Sequence, residues 1–126
     1  MKRVEDFMGD CDQPIDAAFD DKLFNFRMKL IAEEFMELAQ AGEALTLSSC
    51  SDKEEMIIRK ENFLKEMSDC MYVIYGMAVT FGWDLEEAFN RVHHSNMTKL
   101  PYTKLDDGKV QKGPNYEPPT LEGLVN

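Results

Sequence analysis

Leu23-Phe24-Asn25-Phe26-Arg27-Met28-Lys29-Leu30-Ile31-Ala32-Glu33-Glu34-Phe35-Met36-Glu37-Leu38-Ala39-Gln40-Ala41 is the stretch that decides the fold. Leu23, Phe26, Leu30, Ile31, Leu38, Ala41 and Leu45 recur at spacings of three, four and seven. That period lines one face of an α-helix and gives no alternation of two. The spacing predicts a long helix over about Asp20 to Leu47, broken at Ser48-Ser49-Cys50-Ser51. Downstream, Met56, Phe63, Met67, Cys70, Met71, Ile74, Ala78 and Phe81 form a second stripe, predicting a helix over about Lys53 to Phe81. Ser51 or Asp52 suits its start and Gly82 its stop.

Outward from this pair, a short helix is predicted from Lys2 to about Gly9, followed by a polar link with Asp12, Pro14 and Asp16. Asp84 caps a further helix that ends near Met97. After Leu100, Pro101, Gly108, Gly113, Pro114, Pro118 and Pro119 forbid regular helix and leave a lysine-bearing loop or lid. The expected fold is all-α: an antiparallel helical bundle with an irregular C-terminal tail. It is one domain over residues 1–126, with a helical core of about 1–100 and a tail of about 101–126. Wide apolar stripes on so short a chain predict a core completed by oligomerisation, as a homodimer or homotetramer.

A net charge of −10 argues against a nucleic-acid partner, which calls for basic surface. No apolar run is long enough for a membrane span, and no apolar segment follows Lys2 and Arg3 to make a signal peptide. Three cysteines, Cys11, Cys50 and Cys70, lack ligand spacing and read as reduced cytoplasmic thiols.

The chemistry is in the acids. Glu33, Glu34 and Glu37 lie three and four apart, so they share a small volume on the first long helix. Glu66 and Asp69 repeat that spacing at the edge of the second stripe. Five carboxylates between two apolar stripes repel one another unless a hard divalent cation joins them, and Mg²⁺ or Mn²⁺ takes such oxygen ligands. One reading makes the acids a solvated face of a non-catalytic helical partner protein; the other makes them a metal site. A di-iron centre is disfavoured, because Gln40 and Tyr72 stand where histidine would follow the acids.

Glu33-Glu34-x-x-Glu37 and Glu66-x-x-Asp69, with Arg27-x-Lys29-Leu30 before them and Ser95-Asn96-Met97-x-Lys99 after, resemble the MazG-like all-α nucleotide pyrophosphohydrolases. That group includes dimeric dUTPases and phosphoribosyl-ATP pyrophosphohydrolase. The segment Lys109 to Pro119 is similar to the tail of phage and bacterial members. The resemblance implies hydrolysis of a nucleoside triphosphate to monophosphate and pyrophosphate, in a cytoplasm that is the host's if a phage encodes the chain. By position, Glu34, Glu37, Glu66 and Asp69 would hold the main ion. Glu33 would serve a second ion or orient the attacking water. Asn96, Lys99, Lys112 and Tyr116 would approach the phosphates. Asn25 and Arg27 lie near the first motif and are candidates to read a base edge. Some phage members favour guanine nucleotides, which points to dGTP and GTP, with dUTP or dCTP the alternative.

Overall fold

The computed structural model describes residues 1–47 and 52–125; the expected break at Ser48–Ser51 lies outside the described residues. The fold is all-α. Among the described residues four helices follow one another: α1 Lys2–Asp10, α2 Asp21–Thr46, α3 Lys53–Phe81 and α4 Leu85–Met97. The only strands among the described residues are two-residue pieces, β1 Thr103–Lys104 and β2 Val110–Gln111, paired antiparallel. Two compact units result, Met1–Phe81 and Gly82–Asn126.

In the first unit, α2 starts where the Asp20 side chain accepts from the Leu23 amide. The Asp52 side chain does the same for α3, accepting from Glu54. These caps satisfy amides that a helix start leaves without carbonyls. The two long helices pack antiparallel. Arg59 Nη1 donates to the Ala44 carbonyl at 2.7 Å. Further along, Gly42 faces Phe63 and Arg27 faces Gly76. A side chain at position 42 would press within 3.3 Å of the Phe63 ring, so glycine lets the helices approach there. Helix α1 lies against α3, with Val4 and Met8 buried against Val79 and flanked by Ile15 and Tyr75. The polar link doubles back on α3: the Asp16 and Ala17 amides donate to the Val79 and Thr80 carbonyls. Those carbonyls end a helix and would otherwise lack donors. Gly82, at φ 64°, then turns the chain out of α3.

The stripe predicted on α3 is turned inward only in part: Met56, Phe63, Cys70, Ala78 and Phe81 are half-buried or buried, and its other three members are not. Phe63, Glu66, Cys70, Val73 and Met77 turn inward, while Met67, Met71 and Ile74 stay exposed. On α2, Phe26 is 50% exposed. Phe24 takes the inward place instead, its ring 6.3 Å from that of Phe81. The apolar arc on each helix is wider than one neighbour covers, and periodicity alone does not say which part the neighbour takes.

In the second unit, Asp84 caps α4 by accepting from the Glu87 amide. The tail is tied to this helix. Arg91 donates to the carbonyls of Thr120 and Glu122, and Ser95 to that of Glu117. Gly113 sits where a side chain would lie 2.2 Å from the Pro101 carbonyl oxygen, so only glycine allows the crossing.

Candidate metal centre

The inward faces of α2 and α3 carry the acids to one another. Glu34 lies on the same side of α2 as Arg27, Leu38 and Ala41, and Glu66 on the same side of α3 as Phe63 and Val73. Ligand oxygens of Glu34, Glu37 and Glu66 come within 4.8 Å of one another. Glu66 is 6% exposed, at the centre of the helix contact and not at its edge as the stripe suggested. A carboxylate is costly to bury without a partner. Its partner is Lys65, whose Nζ lies 3.1 Å from one Glu66 oxygen and 2.8 Å from Asp69.

Electrostatics record the crowding. Burial raises the Glu34 carboxyl above its ordinary value, and the charges of Glu37, Asp69 and Glu66 push it further. The Lys65 ammonium acts in the opposite sense. Lys65 itself holds its proton more firmly, mainly through its bonds to Asp69 and Glu66. Burial, and after it the charges of Glu34, Asp69 and Glu66, raise the Cys70 thiol. Three oxygen donors this close, with one already favouring its proton, fit a hard divalent cation. With the ion bound, the repulsion that raises Glu34 would become attraction.

The other sequence-predicted residues divide. Asp69 is beside the cluster, engaged by Lys65. Glu33 is exposed and pairs with Lys29 at 3.7 Å, apart from the three clustered oxygens. Arg27 is buried, but Asn25 is exposed; two residues along a helix put them on opposite sides. In the second unit, Asn96 and Lys112 are exposed, Lys99 and Tyr116 half-buried. The Gly113 amide donates to the Lys99 carbonyl. Lys112 Nζ lies 4.3 Å above the Tyr116 ring, a cation–π contact. His93 and His94 are on the surface of α4. Lys65 is the neighbour of the acids that sequence reasoning missed. Its position, one before Glu66 and four before Asp69, is an ordinary helical ion-pair spacing and was available as a signal.

Comparison with curated proteins gives no match. The sequence pattern of the family described as phosphoribosyl-ATP pyrophosphohydrolase matches residues 1–96, which takes in both acidic motifs. With that match over three quarters of its length, the chain belongs to the phosphoribosyl-ATP pyrophosphohydrolase family, within the MazG-like all-α pyrophosphohydrolases.

Proposed function

We propose that the protein, working as one domain, hydrolyses a nucleoside triphosphate to the monophosphate and pyrophosphate, with dGTP and GTP favoured. The observation that carries this reading is the convergence of Glu34, Glu37 and Glu66 from two helices, in a chain of a nucleotide pyrophosphohydrolase family. Mg²⁺ or Mn²⁺ held there, as one or more ions, supplies neutralisation of phosphate charge and a more acidic water. The residues do the positioning. Glu34 and Glu66 reach from opposing helices and fix the site between them. Glu37 and Asp69 complete it from the next turn of each helix. Glu33, on the exposed side, orients the attacking water or assists a second ion. Water adds in line to the α-phosphorus, the bond from that phosphorus to the α–β bridging oxygen breaks, and pyrophosphate leaves with the electron pair. Asn96, Lys99, Lys112 and Tyr116 offset the charge that develops on the leaving group. The working form is a homodimer or homotetramer.

The test is a panel of the common NTPs and dNTPs, with phosphoribosyl-ATP added because the family carries its name. Released pyrophosphate is read with Mg²⁺, with Mn²⁺ and with chelator. Pyrophosphate from a triphosphate, lost on chelation, is the expected result. Turnover of phosphoribosyl-ATP alone would replace the proposed substrate. In ¹⁸O-labelled water the label enters the monophosphate; label in pyrophosphate, or release of a diphosphate, would overturn the assigned bond.

A further inference from the structure

Lys65 is the cation in contact with the acidic cluster, and it comes from the same helix as two of the acids. Its Nζ lies 3.1 and 3.2 Å from the two Glu66 oxygens and 2.8 Å from an Asp69 oxygen. An ammonium has three N–H groups, and these three oxygens are enough to use them all. Among the described residues no other lysine or arginine forms an ion pair with Glu34, Glu37, Glu66 or Asp69; Lys29 is engaged by Glu33.

The partners in this contact are unequal. The Glu66 side chain is 8% exposed, that of Lys65 60%. Glu66 sits in the helix contact, where a carboxylate left without a counter-charge is strongly destabilising. Lys65 can leave, because its head is a point charge on a flexible four-carbon stem and most of the side chain is already in water. A divalent ion and the ammonium compete for the same atoms. Lys65 reaches both Glu66 oxygens, so whichever one an ion took would already carry the ammonium. An Mg²⁺–oxygen bond is about 2.1 Å long, so the two positive centres would stand no more than roughly 5 Å apart and repel.

Charge decides where a displaced ammonium goes. Glu34, Glu37, Glu66 and Asp69 bring four negative charges when ionised, and one divalent ion with Lys65 offsets three. A triphosphate adds more negative charge to a site that is still negative. Resting on the pyrophosphohydrolase reading, we propose that Lys65 is an exchangeable cation: it holds Glu66 and Asp69 in the metal-free protein, gives them up to the divalent ion, and then binds the polyphosphate of the substrate. In the first role it balances the buried Glu66 charge while no ion is bound. In the second it adds a donor on the exposed side of the cluster, where Glu37 also lies. The exchange couples the two ligands. An ion that frees the ammonium makes polyphosphate bind more tightly, and polyphosphate that holds the ammonium strengthens the ion by the same factor.

Calorimetry on the full chain tests both roles without turnover. Lys65→Ala is expected to bind Mn²⁺ severalfold more tightly than wild type, yet in saturating Mg²⁺ to bind inorganic tripolyphosphate roughly tenfold more weakly. Tripolyphosphate has no base, so only phosphate contacts are read. The opposite signs separate an exchangeable cation from a structural strut, whose loss would weaken both. Lys65→Gln keeps an N–H for Glu66 without the charge and is expected to follow Lys65→Ala, which covers the case in which alanine leaves the metal-free protein unfolded. Lys65→Arg keeps the charge and is expected to recover most of the tripolyphosphate affinity. Mn²⁺ affinity unchanged or lowered by removing the charge would overturn the inference. So would unchanged tripolyphosphate affinity, no tripolyphosphate binding by wild type, or a loss in Lys65→Arg as large as in Lys65→Ala. Lys65-dependent tripolyphosphate binding by a protein that releases no pyrophosphate from any triphosphate would leave the exchange standing and sink the hydrolase reading alone.

Discussion

Glu66 shows how much one side chain contributes here. It is the most enclosed of the clustered acids, and its charge is balanced by a lysine from its own helix. Glu37→Gln and Asp69→Asn are each expected to lower kcat/KM about a hundredfold or more, while circular dichroism shows the helices intact. Near-normal turnover would remove that residue from the site. Lys65 occupies two of the acids proposed to hold the ion, so Lys65→Ala is expected to tighten Mn²⁺ binding severalfold in calorimetry; unchanged or weaker affinity would make Lys65 part of the site. The raised Glu34 carboxyl has a consequence for pH. The folded, metal-free protein holds a proton there at a pH where the unfolded chain has lost it. This group therefore stabilises the metal-free fold as pH falls through its raised pKa toward the ordinary 4.5, and that contribution fades as pH rises. Binding of the proposed metal is expected to run the other way and strengthen with pH over the same window. Glu34→Gln is expected to flatten the dependence of metal-free melting temperature on pH; an unchanged slope would assign it to other acids.

At the scale of elements, the tail and α4 depend on each other. Arg91, Ser95 and Thr98 each bond backbone of the tail, and Glu117 returns a bond to the Thr98 hydroxyl. The crossing at Gly113 is what lets the segment fold back. Gly113→Ala is expected to release residues 101–125 to limited proteolysis, while Met1–Phe81 stays protected; tail protection equal to wild type would show that the backbone relaxes there. Deleting the chain after Lys104 removes Lys112 and Tyr116 and is expected to raise KM or lower kcat strongly. Full activity in the truncated protein would make the tail mere packing.

For the whole molecule, the exposed apolar flank of the long helices is the outstanding feature. Leu64, Met67, Met71 and Ile74 follow one line along α3, and Phe35 and Met36 stand out on α2, with Phe35 65% exposed. A soluble monomer rarely leaves such a patch uncovered. Light scattering is expected to give a dimer or tetramer at micromolar concentration, and Met67→Glu with Met71→Glu to dissociate it. An active species of 14.5 kDa would sink the idea.

The sequence determined the helices themselves. Periodicity placed α2 and α3 within a residue or so of their observed ends, Asp84 announced α4, and Gly82 announced the stop of α3. It also brought Glu34 and Glu37 together, because spacing along one helix is a local property. Tertiary structure decided which part of each apolar arc met a neighbour. It turned Glu66 to the centre of the contact and left Met67 and Met71 outside, a rotation that depends on how two helices interlock and not on either alone. It also decided the surroundings of Arg27. The sequence marked that residue only by its place before the first acidic motif, and the arrival of α1, Gln13 and Gly76 around it is what makes it a buried cation.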